Sequence, residues 1–554
     1  MQMIDLFLKD PDGQEHYLQV KEGTSVPEVI AMGNYPHAIL SCRINNVNMR
    51  LDTVLTRSCH LDLLDLRDNY ANMSFQSSLI FLYMEAVHRV LGKDAHITVL
   101  NSLSKGLYTT IRASLSNENV AMIEQVMHDL VKADVPFREE KLSKQQMMDH
   151  LKQLPHSTGR RLRLMQTSDS LDSASLCHFE SCEDLFYVHL LPSSRYCVPF
   201  ELRRYRNGVL LRFPLQSDPD VVEPFEEQKL LYDAFAEETH WEHLLSIDYA
   251  GDLNACMKGD YQEVVMLSEA LHEKKITEIA QRITEEHKRM VLIAGPSSSG
   301  KTSFARRLCI QLRVCGLHPL YLGTDDYFKN RDELIPDANG SLDFESLDAV
   351  DTDLFTRQMN DLLAGKKVDL PTFDFITGKK VYGQRITSLE PGQPVVMEGI
   401  HGLDPALTGG IPEDEKFRIY ISPLTSISID PHHRVPTTDA RMLRRMVRDA
   451  RTRNRSAAMT LHDWASVRRG EEKWIFPYCD QADAFFNSSL VYEIAALKKY
   501  ADPLLKQIDP SSDQYPEAQR MIEFLKFFVT MPDDACIANN SILREFIGGS
   551  ILVD

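Results

Sequence analysis

The segment 295–302 reads GPSSSGKT and places a lysine and a threonine directly after the second of two glycines. Glycines let backbone N–H groups converge on phosphate oxygens, while the lysine reaches the terminal phosphates and the threonine hydroxyl can bind Mg²⁺. The apolar run RMVLIA precedes the loop, and a helical pattern through Phe304, Leu308 and Leu312 follows it. The helix N-terminus would therefore face the anion. The pattern predicts a nucleotide triphosphate site, with an ordinary Gly/Ser turn as the alternative.

Carboxylates follow two other apolar runs. Asp325 and Asp326 come after HPLYLG, and Glu398 lies at the end of PVVME. The carboxyl ends of parallel strands form the edge at which doubly wound sheets bind ligands. A carboxylate there can accept the proton of an attacking hydroxyl, or can hold Mg²⁺ or its bound water. Taken singly, each residue could instead be a helix cap.

Seven arginines lie between positions 441 and 455 of a chain whose net charge is −19. Self-repulsion would destabilise such a helix unless an anion were present, so we predict a mobile lid that closes over nucleotide phosphates. The alternatives are an exposed basic face paired with acidic neighbours, and a surface that binds RNA backbone.

The elements that must position these groups fall into five segments. From 285 to 510, strand-like runs (RMVLIAG, HPLYLG, PVVMEG and FRIYIS) alternate with helices, which predicts an α/β domain with a mainly parallel sheet. Residues 1–67 predict a small, mostly β unit in which IDLFLKD and HYLQV form a hairpin. Residues 68–225 predict an α+β domain with a helix that ends at Gly92, residues 226–284 a helical linker, and residues 511–554 a helical tail.

The composition is that of an ordinary globular protein, with 43% hydrophobic and 25% charged residues. The acidic balance excludes a global attraction to nucleic acid or anionic membranes. The chain has ten cysteines with no CxxC pair, which fits a reducing compartment. We find no signal peptide and no membrane span, and we expect a cytoplasmic protein.

The motif order GPSSSGKT, TDDYF, LPTFDF, MEGIHGL and RRMVRDARTRNRS resembles the uridine kinase and phosphoribulokinase family over about 285–500. The resemblance implies ATP and Mg²⁺ as cofactors. It implies that Asp325 is the catalytic base for a sugar 5′-hydroxyl, that Lys301 contacts the phosphates, and that Thr302 and Glu398 are on the metal side. The residues expected to hold the nucleotide are Gly295, Pro296, Ser297, Ser298, Ser299, Gly300, Lys301, Thr302, Ser303, Arg445 and Arg455.

The same resemblance assigns the remaining site residues. Arg448 and Arg453 would act with Lys301 on the transferred group. The residues expected to contact substrate are Asp325, Phe328, Glu345, Phe373 and Arg448.

Two positions depart from the family pattern: Phe373 replaces a frequent tyrosine, and Gly378 replaces the base-reading histidine of animal-type enzymes. The preferred base is therefore open. We expect His432 and His433, in the connection that precedes the predicted lid, to be surface residues.

A second resemblance concerns the N-terminal half. ILSCRINNVNMRLDTVL resembles the TGS domain of threonyl-tRNA synthetase, a β-grasp module, and residues 68–215 resemble the editing domain that follows it there. Editing requires an HxxxH pair, but Ser77 and Phe81 occupy those positions. The nearby cysteines and histidines, of which Cys182 matches the editing cysteine, do not complete a metal site; they are Cys177, His178, Cys182 and His189. We expect lost editing chemistry, and GRRLRLMQ (159–166) is either an RNA contact or a solvated strand edge.

The sequence thus predicts an ATP-dependent kinase that phosphorylates a nucleoside such as uridine or cytidine, with an N-terminal half that regulates it or serves as a scaffold. The alternatives are a phosphoribulokinase-like kinase of sugars or sugar phosphates, and an RNA-binding P-loop NTPase. Binding of tRNA is disfavoured by the acidic charge, no membrane partner is expected, and the oligomeric state is open.

Overall fold

The computed structural model describes residues 2–153, 159–334, 345–425 and 427–553. Its first unit is a five-stranded sheet with one short helix across residues 1–67. The sheet order is β2-β1-β5-β3-β4, in which β1 and β5 are parallel and the other neighbours are antiparallel. The predicted hairpin is confirmed as β1 and β2. The elements are β1 (Met3–Lys9), β2 (Glu15–Lys21), α1 (Val26–Ile30), β3 (Ser41–Ile44), β4 (Val47–Met49) and β5 (Cys59–Leu64).

The second unit contains two antiparallel sheets, packed around a long helix that is buried along most of its length. The elements are α2 (Asn69–Leu91), β6 (His96–Leu103), β7 (Gly106–Arg112), α3 (Asn117–Ala133), β8 (Arg138–Ser143), α4 (Lys144–Gln153), α5 (Gly159–Thr167), β9 (Ser173–Phe179), β10 (Cys182–Phe186), β11 (Glu201–Tyr205) and β12 (Gly208–Arg212). The sheets have the orders β11-β12-β7-β6 and β10-β9-β8.

Two local predictions for this unit have different outcomes. Gly92 caps α2 with a φ of 94°, a conformation that favours glycine, so the predicted helix end is confirmed. The strand reading of GRRLRLMQ is wrong, because these residues form α5, which buries Leu164 and Met165.

Three helices connect this unit to the domain that contains the loop 295–302, called the nucleotide-loop domain below. They are α6 (Lys229–Leu245), α7 (Ala250–Met257) and α8 (Tyr261–Glu285). They confirm the helical character predicted for 226–284. Helix α8 packs against the helix that follows the phosphate loop and so forms part of that domain's outer layer.

The C-terminal half contains a five-stranded sheet in which all neighbouring strands are parallel, in the order β14-β17-β13-β18-β21. Its elements are β13 (Met290–Ala294), α9 (Lys301–Val314), β14 (Leu320–Gly323), α10 (Thr352–Leu363), β15 (Val368–Asp374), β16 (Lys379–Thr387), β17 (Val395–Glu398), α11 (Pro405–Thr408), β18 (Lys416–Ser422), β19 (Ser428–Asp430), β20 (His433–Arg434), α12 (Thr437–Thr452), α13 (Ala457–Trp474) and β21 (Ala484–Asn487). The four predicted strands are confirmed as β13, β14, β17 and β18.

The segment 285–510 ends with α14 (Glu493–Leu505), and the tail 511–554 forms α15 (Tyr515–Leu525) and α16 (Arg544–Ile547). One apolar core joins it to the sheet and to the second unit, since Phe524, Phe304, Phe486, Ile283 and Leu164 belong to the same cluster. The tail is therefore built into the domain and is not an appendage.

All ten cysteines lie in the described residues and are free thiols. Within the described ranges, no helix is long and apolar enough to cross a lipid bilayer.

Candidate active site

The predicted loop and carboxylates meet at one edge of the parallel sheet. The loop 295–302 follows β13, Asp325 lies just beyond β14, and Glu398 ends β17. These strands are neighbours in the order β14-β17-β13, so their carboxyl ends lie side by side. The alternation of strands and helices was therefore sufficient to predict that these residues come together at one edge of the sheet.

The loop conformation requires glycine at both ends. A Cβ on Gly295 would lie 2.0 Å from the carbonyl oxygen of Ile421 in β18. Gly300 has a φ of +84° and precedes α9. Between them, Ser298 also has a positive φ of 60°. The hydroxyls of Ser298 and Ser299 are buried and have no hydrogen-bond partner among the described residues, which fits a loop whose polar groups receive an anion.

Lys301 folds back over the loop. Its Nζ donates to the carbonyl oxygens of Gly295 at 2.9 Å and Pro296 at 3.1 Å. Burial lowers the pKa of this lysine, and the carboxylate of Glu398 partly opposes that shift. An anion bound in the loop would supply the negative charge that the buried ammonium group lacks.

Thr302 and Glu398 are in direct contact. The threonine hydroxyl donates to Oε1 of Glu398 at 2.7 Å, and the Tyr321 hydroxyl donates to the same oxygen at 2.9 Å. A hydroxyl and a carboxylate are hard oxygen ligands that suit Mg²⁺, which proteins usually bind through one or two such groups together with substrate phosphates. Within the described residues, no cluster of three or more His, Cys, Asp or Glu side chains could hold a metal alone. The pair therefore fits Mg²⁺ that arrives with a nucleotide.

Asp325 lies at the same edge of the sheet, in the turn that follows β14. Its side chain is partly open to solvent, but protein atoms surround the carboxyl group on its other sides. Burial by these atoms, followed by the negative charge of Glu398, raises the pKa of Asp325 to about 6. The adjacent Asp326 differs, because it is held by Arg385 at 2.6 Å and accepts the backbone N–H of Phe373 at 3.4 Å. Asp325 therefore has the environment of a base with a pKa near neutrality, whereas the carboxylate of Asp326 is engaged by Arg385.

The arginine-rich segment is not the free lid that its charge predicts. Arg441 and Arg444 of α12 are fully buried. They donate to the loop carbonyl oxygens of Ser297, at 3.0 Å, and Ser298, at 3.4 Å. Arg441 also pairs with Glu471, which accepts the Ser297 N–H at 3.2 Å. These two arginines therefore stabilise the backbone of the loop through its carbonyl oxygens.

The other arginines are also compensated within the protein. Arg445 donates to the Ser297 hydroxyl at 2.8 Å, and the buried Asp449 lies between Arg445 at 3.5 Å, Arg448 at 2.8 Å and Arg453 at 3.6 Å. Arg455 pairs with Asp463 of α13. Three guanidinium groups around one carboxylate leave a local positive excess. Arg445 is the predicted nucleotide-binding arginine that touches the loop.

Ser303 was predicted to contact the nucleotide, but its polar groups are engaged by the tail. It is fully buried, its hydroxyl donates to Oε2 of Glu545 at 2.7 Å, and its N–H lies 3.4 Å from the same oxygen. Arg451, another of the seven arginines, holds the tail by donating to the carbonyl oxygen of Glu545 at 2.9 Å. A carboxylate from α16 thus occupies the first turn of α9, where the helix dipole favours an anion.

This contact predicts that Glu545→Gln tightens ATP binding. The amide oxygen can still accept from Ser303, while the negative charge beside the phosphate loop is removed. We expect a dissociation constant lower by about 5- to 30-fold, equivalent to about 1–2 kcal/mol of relieved repulsion. Titration with a fluorescent ATP analogue measures this dissociation constant. Asp533→Asn removes an exposed charge from the same tail and serves as the control; equal affinities for both variants would contradict the prediction.

The predicted substrate residues lie around the hairpin β15–β16, which packs against the segment that holds Asp325. Phe328 and Phe373 are buried, with ring centroids 5.6 Å apart. Phe375, which the sequence analysis missed, lies 5.1 Å from Phe373 and is 56% exposed. It is the member of this trio that can offer a ring face to a ligand.

The structure also shows the surroundings of two further positions from the sequence prediction, Glu345 and Gly378. Glu345 is near enough to Asp325 and Lys301 for its charge to raise the pKa of each. Gly378, at the hairpin turn, has a φ of +68°, and a Cβ there would lie 2.3 Å from the Arg331 side chain. Glycine is therefore required by the turn itself, and no base-reading side chain fits at this position without rearrangement.

Among the described residues of the N-terminal half, no group of three or more His, Cys, Asp or Glu side chains is placed to hold a metal ion. Phe81 is fully buried among aromatic rings, and Cys177 is likewise in the core. Cys182 lies 3.1 Å from Nδ1 of His88, while His189 instead contacts Glu139 at 2.9 Å. The histidines and cysteines do not converge on one point.

Comparison with known proteins agrees with this geometry. The model of the phosphoribulokinase / uridine kinase family matches residues 290–495. A uridine kinase of Chloroflexus aggregans is 30% identical over 197 residues, covering 35% of this chain and 84% of that protein. A uridine kinase of Lactobacillus johnsonii is 29% identical over 192 residues, covering 34% and 82%. A third, from Staphylococcus aureus, is 26% identical over 215 residues, covering 39% and 86%.

The matched region contains the loop 295–302, Asp325, Glu398 and the arginine helix α12, in the order described above. Through residues 290–495, this chain belongs to the phosphoribulokinase and uridine kinase family of phosphate-transferring kinases.

Proposed function

We propose that residues 285–510 transfer the γ-phosphoryl group of ATP to the ribose 5′-hydroxyl of a nucleoside, uridine or cytidine. The observation that carries the proposal is the position of Asp325, at the sheet edge that also holds Lys301 and the Thr302–Glu398 pair. The relatives named as uridine kinases support the choice of a nucleoside acceptor.

Each group has a defined task in this reaction. Asp325 accepts the proton of the 5′-hydroxyl as that oxygen attacks the γ-phosphorus. Lys301 leaves the loop carbonyls to contact the phosphates and stabilises their developing charge. Arg445, Arg448 and Arg453 contribute the positive excess around Asp449 to the same face. Thr302 and Glu398 would hold Mg²⁺, which neutralises phosphate charge when bound with ATP.

The acceptor is placed by the hairpin β15–β16. Phe375 gives the base a stacking surface, with Phe328 and Phe373 behind it, and Glu345 accepts from the ribose hydroxyls. Because the described hairpin tip carries no side chain at Gly378, base discrimination is expected to be weak. Uridine and cytidine should therefore have similar kcat/KM values.

A substrate panel tests this assignment against a sugar kinase. ADP formation is measured with uridine, cytidine, ribulose 5-phosphate and fructose as acceptors. A sugar phosphate would need an available cationic clamp beside the acceptor. In the hairpin, Lys380 and Arg385 are already paired with Asp351 and Asp326, while the ring of Phe375 is exposed. Turnover with either pyrimidine nucleoside is expected; turnover confined to the sugars or the sugar phosphate would contradict the proposal.

The pKa of Asp325 predicts the pH dependence of the reaction. The base must be ionised to accept a proton, and burial beside Glu398 raises its pKa to about 6. The kcat/KM for the nucleoside is therefore expected to be independent of pH above about 7 and to fall tenfold per unit below pH 6. Steady-state rates between pH 5 and 8 measure this pH dependence of kcat/KM. A profile that stays level down to pH 5 would exclude Asp325 as the base.

For the N-terminal half we propose a regulatory or scaffold role on a TGS-like unit (1–67) and a degenerate editing-like unit (68–225). The core that this half shares with the nucleotide-loop domain and the tail supports a role exerted on the kinase. Arg161, a candidate RNA contact, is largely buried against Asp184 at 2.6 Å, which disfavours an RNA-binding role for this segment.

A further inference from the structure

A cavity of about 490 Å³ lies away from the phosphate loop. Residues from both N-terminal units, from the connection 428–436, from α12 and from the tail line it; Asn46, Ser77, Arg434, Asp439 and Phe527 represent these parts. Its volume falls within the range of small-molecule sites, and it lies where the units of the chain meet, a preferred place for ligands.

A buried network of charges fixes one wall of this cavity. Asp430 accepts from Nδ1 of His433 at 2.8 Å and from the Tyr187 hydroxyl at 2.8 Å, while Asp184 pairs with Arg161 and with His432. The expectation that the two histidines are surface residues is wrong, because both are largely buried in this network. The hairpin β19–β20 is thereby held against α5 and β10.

Arg434, the next residue, differs from its neighbours because no described residue forms an ion pair or hydrogen bond with its guanidinium group. The nearest charge that acts on it is Asp439. That carboxylate is already bound by two nitrogens of Arg520, each at 2.8 Å. Burial consequently lowers the pKa of Arg434 to about 10. Nε2 of His433 is also buried without a described partner.

The rest of the lining is mixed: Ile80, Leu107, Leu171, Phe186 and Phe524 form an apolar and aromatic wall, and polar residues such as Gln76 and Gln519 lie around it. An unpaired cation in such surroundings destabilises the folded protein unless an anion joins it. The chain as a whole is strongly acidic, so this local excess of positive charge is not a consequence of composition.

We propose that this cavity binds a small molecule that joins an anionic group, a carboxylate or a phosphate, to an apolar ring. The anion pairs with Arg434, and the ring packs against the aromatic wall. The site is separate from the nucleotide loop and no part of the kinase chemistry requires it.

The cavity also has a physical connection to the phosphate loop. Asp439 lies in the first turn of α12, and Arg441 and Arg445 of the same helix contact the backbone and hydroxyl of Ser297. An anion at Arg434 changes the charge next to Asp439 and thus the position of this helix start. Occupancy of the cavity is expected to change ATP affinity, and by linkage ATP changes the affinity of the cavity by the same factor. This coupling rests on the proposed nucleotide site, whereas binding itself does not.

The test uses 8-anilino-1-naphthalenesulfonate, a fluorescent probe with an anionic group on an apolar ring system, and the full chain. Arg434→Met is expected to raise the probe's dissociation constant at least tenfold, and Arg57→Met, at an exposed position of the first unit, to leave it unchanged. Because Arg434 has no described partner, the melting temperature of Arg434→Met should not fall. Equal binding by both variants, or a fall of several degrees in melting temperature, would overturn the assignment.

Two further variants locate the probe and test the cavity independently of charge. Ser77→Phe fills the cavity and is expected to abolish binding, while Lys301→Met, at the phosphate loop, is expected to bind the probe as wild type does. Loss of binding in Lys301→Met but not in Arg434→Met would place the probe on the loop and contradict the proposal.

Displacement of the probe by phenylacetate or by phenyl phosphate identifies the preferred anion, and displacement by neither would contradict the ligand class. The coupling is measured as ATP affinity with and without saturating probe in wild type. An unchanged ATP affinity would overturn the connection through α12 and leave the binding result standing on its own.

Discussion

Replacement of Asp325 by asparagine is expected to lower kcat for nucleoside phosphorylation by about 10²- to 10⁴-fold, the range that general-base catalysis contributes. Asparagine keeps the size of the side chain but cannot accept the 5′-hydroxyl proton. ATP binding should survive, because Asp325 contributes negative charge near the phosphates and no bond to the loop. Single-turnover rates and titration with a fluorescent ATP analogue separate the two effects.

The matched control for this variant is Asp353→Asn, which removes an exposed carboxylate from the first turn of α10. It should phosphorylate nucleosides at the wild-type rate. Normal turnover by Asp325→Asn would remove Asp325 from the mechanism. Loss of ATP binding together with turnover would instead assign it to nucleotide binding.

The second large effect is expected for Lys301→Met. Its kcat/KM should fall by about 10²- to 10³-fold, because one preorganised hydrogen-bond donor to the charge of the transition state is lost. Methionine fills nearly the same volume in the buried site. Burial lowers the pKa of Lys301, so the ammonium is unfavourable in the free protein. The variant's melting temperature should therefore stay close to that of wild type.

Lys274→Met on α8, where the side chain is 73% exposed, removes the same charge far from any predicted role. It should match wild type in both kcat/KM and melting temperature. A Lys301→Met protein with wild-type kcat/KM would show that the loop lysine does not act on the transferred phosphate. A strongly lowered melting temperature would assign Lys301 a structural role through its bonds to Gly295 and Pro296.

The sheet edge could be predicted from sequence because each of its motifs is local. A strand, a glycine-bounded loop and a helix determine where Lys301 and Thr302 lie, and two other strand ends deliver Asp325 and Glu398. The alternation of strands and helices then brings the three strand ends together. Strand β21 was missed because AFFN is short and lies within a segment recognised only by resemblance.

The arginine helix could not be predicted in the same way. Its charge density indicated a lid, because the carboxylates that compensate it are remote in sequence or hidden in the same run. Glu471 lies 30 residues from Arg441, and Glu493 lies 49 from Arg444. Asp449 stands within the run itself, but its burial among three arginines depends on the packed helix. Charge counting along a chain does not reveal such pairs.

The contact between the tail and the phosphate loop was even less predictable from the sequence. Glu545 contacts Ser303 across 242 residues, and no local pattern marks a carboxylate at the end of the chain as a neighbour of the phosphate loop. The cavity around Arg434 likewise forms only when five parts of the chain are assembled, and only then is it apparent that this arginine has no described partner. The Glu545–Ser303 contact and the cavity both depend on long-range packing, which the periodicity of the sequence does not encode.

Identification of the reaction products tests whether this protein phosphorylates a nucleoside. The 554-residue chain is incubated with MgATP and uridine, and the products are resolved by mass spectrometry and ³¹P NMR. We expect uridine 5′-monophosphate and ADP in equal amounts, with the new phosphate on the 5′-oxygen. Formation of ADP and inorganic phosphate without any phosphorylated nucleoside, from uridine or from cytidine, would contradict it.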